Sequence, residues 1–238
     1  MVRVEEARLL TSDDRWVERG GPDCAIAGAS AGPGAPGGRP AATIGPMFSS
    51  IAELRQHLRG LGAHPKHEAR VLRLWSNALP QTHGKRDLDT FLPRPLREAL
   101  PALDAQLKAI ATLRSEHPGA DGSARLLVAL ADGQAVESVL LPRDGLCVST
   151  QVGCAVGCVF CMTGQGGLVR QVGSAEIVAQ VALARTRRVV KKVVFMGMGE
   201  AAHNLDNVLE AIDLLGTVGN IGHKNLVFST VGDLRVFE

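Results

Sequence analysis

The 238-residue chain contains no tyrosine, six phenylalanines and two tryptophans, so aromatic side chains make up 3% of it. Surfaces that hold single-stranded nucleic acid by stacking successive bases need more rings than this. Long apolar runs are missing too: no stretch reaches 18 consecutive apolar residues, which argues against a membrane span. The N-terminus carries Arg3, Glu5 and Glu6 where a secretory signal would have an apolar core. A surplus of one charge sign is also absent, since 26 Lys and Arg face 24 Asp and Glu for a formal net charge of +2. The chain as a whole is therefore no electrostatic binder of polyanions, and any such contact has to come from local patches. The cytoplasm is the expected location.

What is present divides the chain into three expected parts. Residues 1–46 hold a Gly-, Pro- and Ala-rich stretch (Gly20 to Ala42) that buries too little side chain to offset the entropy of ordering, and it reads as a disordered extension. Met47 follows as a candidate internal start, and Cys24 in the extension reads as a free thiol. Residues 47–118 read as a small helical domain. Ser50 to Glu53 fits a capping box, and helices are expected from there to Gly60, over Pro65–Asn77 with Ala69, Leu72 and Leu74 inward, and from Arg94 to about Ser115.

Residues 119–238 change pattern. Asp132-Gly133 between the apolar runs 126–130 and 136–141 is a strong hairpin signal. Beyond it, a helix capped by Ser174, a buried strand over Val189–Met196, a helix over Asn204–Leu215 and a strand at Leu226–Ser229 alternate as parallel βα units do. The units are too few to close a barrel, and the expected fold is α/β: a partial (β/α) barrel preceded by the helical domain and the hairpin. The end at Glu238, soon after a strand, suggests a piece of a longer protein.

Three of the five cysteines fall in Cys154-Ala-Val-Gly-Cys158-Val-Phe-Cys161. Thiolates are the usual ligands of iron–sulfur clusters, and a cubane takes four, so three local thiols leave one iron open to another ligand. Gly153 and Gly157 suit a loop that wraps closely around such a group. The alternative is zinc, with His203 or His223 as a fourth ligand.

This spacing, with Phe160 before the third cysteine, resembles the signature of the radical S-adenosylmethionine superfamily. Further segments narrow the resemblance: Cys147-Val-Ser-Thr-Gln-Val-Gly153, Phe160-Cys-Met-Thr-Gly164, Val194-Phe-Met-Gly-Met-Gly-Glu200, Asn204-Leu-Asp-Asn207 and Phe228-Ser-Thr-Val-Gly232 occur in the order found in the adenine-C2 ribosomal-RNA methyltransferases of the RlmN/Cfr type. The resemblance covers roughly residues 48–238. It implies a [4Fe–4S] cluster on Cys154, Cys158 and Cys161, and S-adenosylmethionine held by Gly199, Glu200 and Ser229. It implies Glu137 as the acid/base carboxylate and Cys147 as a thiol near the site. The implied substrate is an adenine C2 in large-subunit rRNA, with tRNA as an additional target, and the implied partner is an external electron donor such as a flavodoxin-type reductant. The family carries its methyl group on a cysteine near the C-terminus, for which none of the five cysteines here stands in. Ala201 and Leu234 depart from the family's prolines at those places. A radical enzyme with another substrate, or a remnant that binds cluster and cofactor without turnover, are the rival readings.

Two groups of cations are candidate RNA contacts: Arg185, Arg187, Arg188, Lys191 and Lys192, and, on the first helices, Arg55, Arg59, His64, Lys66, His67, Arg70 and Arg73.

Overall fold

Ser50 starts the first helix as its sequence predicts: its hydroxyl accepts from the Glu53 N–H, and the Glu53 carboxylate accepts from the N–H groups of Ser49 and Ser50. The structure, a computed structural model, describes residues 48–85 and 87–236, so the Gly- and Pro-rich extension, Cys24 and Met47 lie outside the described residues. Helix α1 (Ile51–Gly60) is followed by α2 (Pro65–Ser76), the single turn α3 (Leu88–Phe91) and α4 (Arg94–Ala109). Apolar residues at helical spacing, Ile51, Leu54 and Leu58 on α1 and Leu96, Leu100, Leu103 and Leu107 on α4, are buried. Each contributes roughly 1.5–3 kcal/mol by leaving water.

The long helix ends sooner than its expected bound near Ser115. Residues Ala111–Pro118 form strand β1, which pairs antiparallel with β2 (Ala124–Leu130). The helical pattern of 94–109 runs into Thr112 and Leu113, whose pairing partners Ala129 and Val128 lie on the next strand. Strands β2 and β3 (Ala135–Leu141) make the hairpin expected around Asp132-Gly133, with Gly133 at φ +87°. Strand β4 (Gly145–Val148) closes the antiparallel half, and parallel pairing continues through β7 (Lys192–Phe195) to β8 (Leu226–Phe228), giving the order β1-β2-β3-β4-β7-β8. Helix α5 (Ser174–Arg185) lies in the crossover from β4 to β7, and α6 (Leu205–Thr217) in that from β7 to β8. A two-stranded hairpin, β5 (Gln151–Gly153) and β6 (Leu168–Gln171), is inserted between β4 and α5. This mixed α/β sheet with two parallel βα units is the expected fold class.

Helix α5 is buried nearly all round, because the sheet, α6 and the N-terminal helices share one hydrophobic core with it. Ser174 does not cap it. The Glu176 carboxylate accepts the Gly173 N–H there, while the Ser174 hydroxyl accepts from the Ile51 N–H at the start of α1 and bonds Glu210 on α6. Most of the basic run is also spent internally. Arg187 pairs with Glu116 and Lys191 with Asp144, and Arg188 donates to the Gly122 carbonyl. Half-buried Arg185 donates to the carbonyls of Ser76 (2.7 Å), Gly219 (2.8 Å) and Val190 (3.4 Å), and burial pulls its pKa down to about 10.

Candidate cofactor-binding site

The C-terminal ends of parallel strands are where α/β proteins place ligands, because loops of independent sequence gather there around a rigid sheet. At the end of β4 the chain enters the β5–β6 hairpin, whose connecting loop holds the three clustered cysteines, Cys154 where it leaves β5 and Cys158 and Cys161 toward its tip. At the end of β7 it makes the turn Gly197-Met-Gly-Glu200. At the end of β8 stands Ser229.

The base of the hairpin is tight. The Cys154 N–H donates to the Gly167 carbonyl at 3.0 Å, and Gly153 sits at φ +77°, where a Cβ would lie 2.0 Å from that same oxygen. Arg170 on β6 braces the base, bonding Asp132 in the β2–β3 turn and Glu176 at the start of α5. At the tip the side chains of Val159, Phe160 and Met162 are exposed. Cys154 is buried, and Cys158 and Cys161 are partly exposed; all three thiols are free. Hydrogen bonds from Thr163 hold the Cys161 thiol below its usual pKa, which favours the ligating thiolate.

Among the described residues no group of three or more His, Cys, Asp or Glu is gathered as a metal ion requires, so the three thiols share a loop without converging on one point. The donor set nevertheless fits an iron–sulfur cluster. It offers three free thiols on one short loop, and His203, a candidate for zinc, is engaged elsewhere with Asp233 at 2.9 Å.

The glycine turn is pressed against the start of the hairpin. The Thr150 and Gln151 N–H groups both donate to the Met198 carbonyl, and Gly199 takes φ +101°. Glu200 is buried, and its carboxylate accepts from the N–H groups of Ala202 and of Val231, two residues beyond Ser229. Glu200 thus joins the ends of β7 and β8. Ser229 itself is half-buried.

The remaining two residues lie on the sheet. Pairing of Val139 with Cys147, and of Cys147 with Val194, puts Glu137, Val139 and Cys147 on one face by strand alternation. Burial raises the Cys147 pKa, so its thiol is a poor nucleophile. The Glu137 N–H meets the Met198 sulfur at 3.3 Å, but its half-exposed carboxylate pairs with Arg125 across the hairpin. The structure brings the cysteine hairpin, Gly199, Glu200 and Ser229 to one edge of the sheet, and Glu137 borders that edge by its backbone.

Reading residues by type passed over the side-chain amides. Gln151, Gln180 and Asn204 are buried. Gln180 on α5 bonds Ser138 and both backbone groups of Ser149, and Asn204 donates to the carbonyls of Thr150 and Val172.

Residues 148–235 match the family model of the Radical SAM superfamily. A probable RNA methyltransferase of Methylibium petroleiphilum is 78% identical over 188 residues, covering 79% of this chain and 53% of that protein. One from Leptothrix cholodnii is 74% identical over 185 residues, covering 78% of this chain and 53% of that protein. The crystal structure of a radical SAM methyltransferase from Sphaerobacter thermophilus superposes with a TM-score of 0.59 at 31% identity, covering 79% of this chain and 57% of that one. The chain spans about half the length of the curated relatives it matches. The stretch that builds the hairpin, the glycine turn and the end of β8 is thus a match to the Radical SAM superfamily, set in a chain similar to probable RNA methyltransferases.

Proposed function

We propose that this chain is the cluster- and cofactor-binding part of a radical S-adenosylmethionine RNA methyltransferase, of the type that methylates C2 of an adenine in large-subunit rRNA, with tRNA as an additional target. One observation carries the reading: a hairpin with three free thiols and a buried Glu200 turn stand side by side at the C-terminal ends of adjacent parallel strands. Cys154, Cys158 and Cys161 would hold a [4Fe–4S] cluster, which when bound supplies one-electron reduction of the cofactor's sulfonium. Glu200 would accept from the ammonium of the cofactor, Gly199 would let backbone approach it, and the Ser229 hydroxyl would meet the ribose. Glu137, released from Arg125, is the carboxylate assigned to take up the proton leaving the base. Methyl transfer belongs, in this reading, to the longer protein.

The test is EPR of the anaerobically reconstituted, reduced chain with and without S-adenosylmethionine. A [4Fe–4S]⁺ signal that shifts on adding the cofactor is expected. Zinc uptake, or a cluster indifferent to the cofactor, overturns the reading.

An RNA substrate finds support in a groove of about 920 Å³ between α2, the 79–85 loop and the end of α6. Lys66, Arg70, Arg73, His83 and Lys85 line it, and among the described residues no Asp or Glu does. Lys66, Arg70 and Arg73 recur at helical spacing along one stripe of α2. Not all the cations noted on the first helices contribute: Arg55 and Arg59 pair with buried Glu68, and His67 and Arg70 are buried, the Arg70 guanidinium donating to the His83 carbonyl. The triple variant Lys66→Ala, Arg73→Ala, Lys85→Ala is expected to weaken rRNA-fragment binding about tenfold or more at low salt and to lower the salt slope by about 2. Fluorescence anisotropy between 50 and 200 mM salt reads both, and an unchanged slope removes the groove from the RNA path.

A further inference from the structure

Gln151 makes two side-chain hydrogen bonds that the chemistry assigned above does not use. It lies on β5, three residues before Cys154, and its side chain is fully buried. Its Oε1 accepts the Glu200 N–H at 2.8 Å, and its Nε2 donates to Gln171 Oε1 at 2.9 Å on the opposite strand of the cysteine hairpin. The Gln171 amide in turn donates to the His203 carbonyl, behind Glu200, at 2.8 Å. Its backbone N–H already bonds the Met198 carbonyl, and there is no slack, since a Cβ on Gly199 would lie 2.5 Å from the Cβ of Gln151.

The bonds to the Glu200 N–H and the His203 carbonyl tie the two strands of the cysteine hairpin to the Glu200 turn and the residues after it, and the Gln151–Gln171 bond joins those strands to each other. In the cofactor reading given above, the methionine end of the cofactor would meet both an iron of the hairpin and the Glu200 carboxylate, and needs those two anchors at a fixed separation. Hydrogen bonds in a dry setting are directional and leave little play, and a residue that orients a ligating group tunes affinity without touching the ligand itself. Accepting on the Glu200 N–H also keeps that buried donor satisfied, so the turn has no reason to rotate toward another acceptor.

We propose that Gln151 is a positioning residue that sets the distance between the cysteine hairpin and the Gly197–Glu200 turn, and with it the affinity for S-adenosylmethionine; this rests on the cofactor reading given above. In that reading Gln151 acts through Glu200 rather than on the cluster or the cofactor. Its removal therefore leaves the hairpin able to take up iron and sulfide while the second anchor shifts.

The experiment uses the full chain, reconstituted anaerobically, with three readouts: iron content and 410 nm absorbance, the melting temperature, and the cofactor concentration at which the EPR shift saturates. Gln151→Met, similar in volume but without either hydrogen bond, is expected to keep the iron content and to raise that concentration about tenfold, the weight of one buried hydrogen bond. Gln151→Glu, which retains an acceptor for the Glu200 N–H, recovers part of the affinity. Gln171→Met, which leaves the bond to Glu200 in place, changes it less than threefold. Unaltered cofactor affinity in Gln151→Met overturns the proposal, and so does a parallel fall of iron content, melting temperature and affinity, which would mark a merely structural residue. Wild-type protein whose cluster ignores the cofactor overturns the cofactor reading itself, and this proposal with it. A shift in the wild type and in Gln151→Met alike leaves that reading standing and removes only Gln151.

Discussion

Gly199→Ala is expected to abolish cofactor binding at any practical concentration, with a fall in affinity of about a hundredfold or more. Two independent costs meet at this position. The backbone stands at φ +101°, where a side-chain-bearing residue is strained by roughly 1–3 kcal/mol. The added methyl would lie 2.5 Å from Gln151 Cβ and 2.8 Å from Gln151 N. The second of these is backbone, pinned by its bond to the Met198 carbonyl, so no flexible side chain can give way. The turn has to move instead, and Glu200, whose N–H and carboxylate are both committed to neighbouring elements, moves with it. A cofactor titration of the reconstituted variant followed by EPR reads the effect. Retention of wild-type affinity would mean that the turn is not a cofactor anchor.

Arg185→Met is expected to destabilise the chain by about 3 kcal/mol, because hydrogen bonds from a charged donor contribute about 1.5–3 kcal/mol each and two short ones are lost. The guanidinium reaches from the end of α5 to the carbonyls of Ser76, at the end of α2, and Gly219, just after α6. Carbonyls at the end of α2 and just after α6, which would otherwise be left unpaired, meet on one planar, multiply donating group. Burial pulls its pKa down to about 10, which still leaves it charged at neutral pH. For a chain of this size the loss corresponds to a drop in melting temperature of about 6–12 °C. Arg185→Lys, with a point charge in place of a fork, is expected to recover less than half of it. Thermal unfolding followed by circular dichroism measures both, and a melting temperature unchanged in Arg185→Met would show that the carbonyls find other donors.

Arg185 also marks how far the sequence could be read. In a run with Arg187, Arg188, Lys191 and Lys192 it looked like part of a basic patch, and only the fold reveals that most of that run is engaged within the protein. Features with a local cause were legible: the Ser50–Glu53 capping box, the Asp132-Gly133 hairpin, the alternation of α5, β7, α6 and β8, and the cysteine spacing. Features whose cause lies far along the chain were not. Strand β1 follows a helical pattern and exists because β2 pairs with it. Ser174 looked like a helix cap, and its hydroxyl serves α1, which begins 123 residues earlier. The amides of Gln151, Gln180 and Asn204 have no spacing rule, since their partners lie on other elements. The candidate site was legible as motifs; that its motifs are hydrogen-bonded to one another was not.

The braced base and exposed tip of the cysteine hairpin have a consequence for how a cluster is acquired. Between Cys154, fixed through Gly167, and the strut at Arg170, the segment left to rearrange when three thiols close on one point is centred on Cys158 to Met162. Ordering five residues costs roughly 5–10 kcal/mol in backbone entropy, whereas gathering the whole loop from a disordered state would cost two to three times as much. Movement on that scale is loop motion, completed in roughly nanoseconds to microseconds. On the proposed reading, loading would be a late, local event that the finished fold can undergo and reverse, so that a cluster lost to oxidation could be replaced without unfolding the chain.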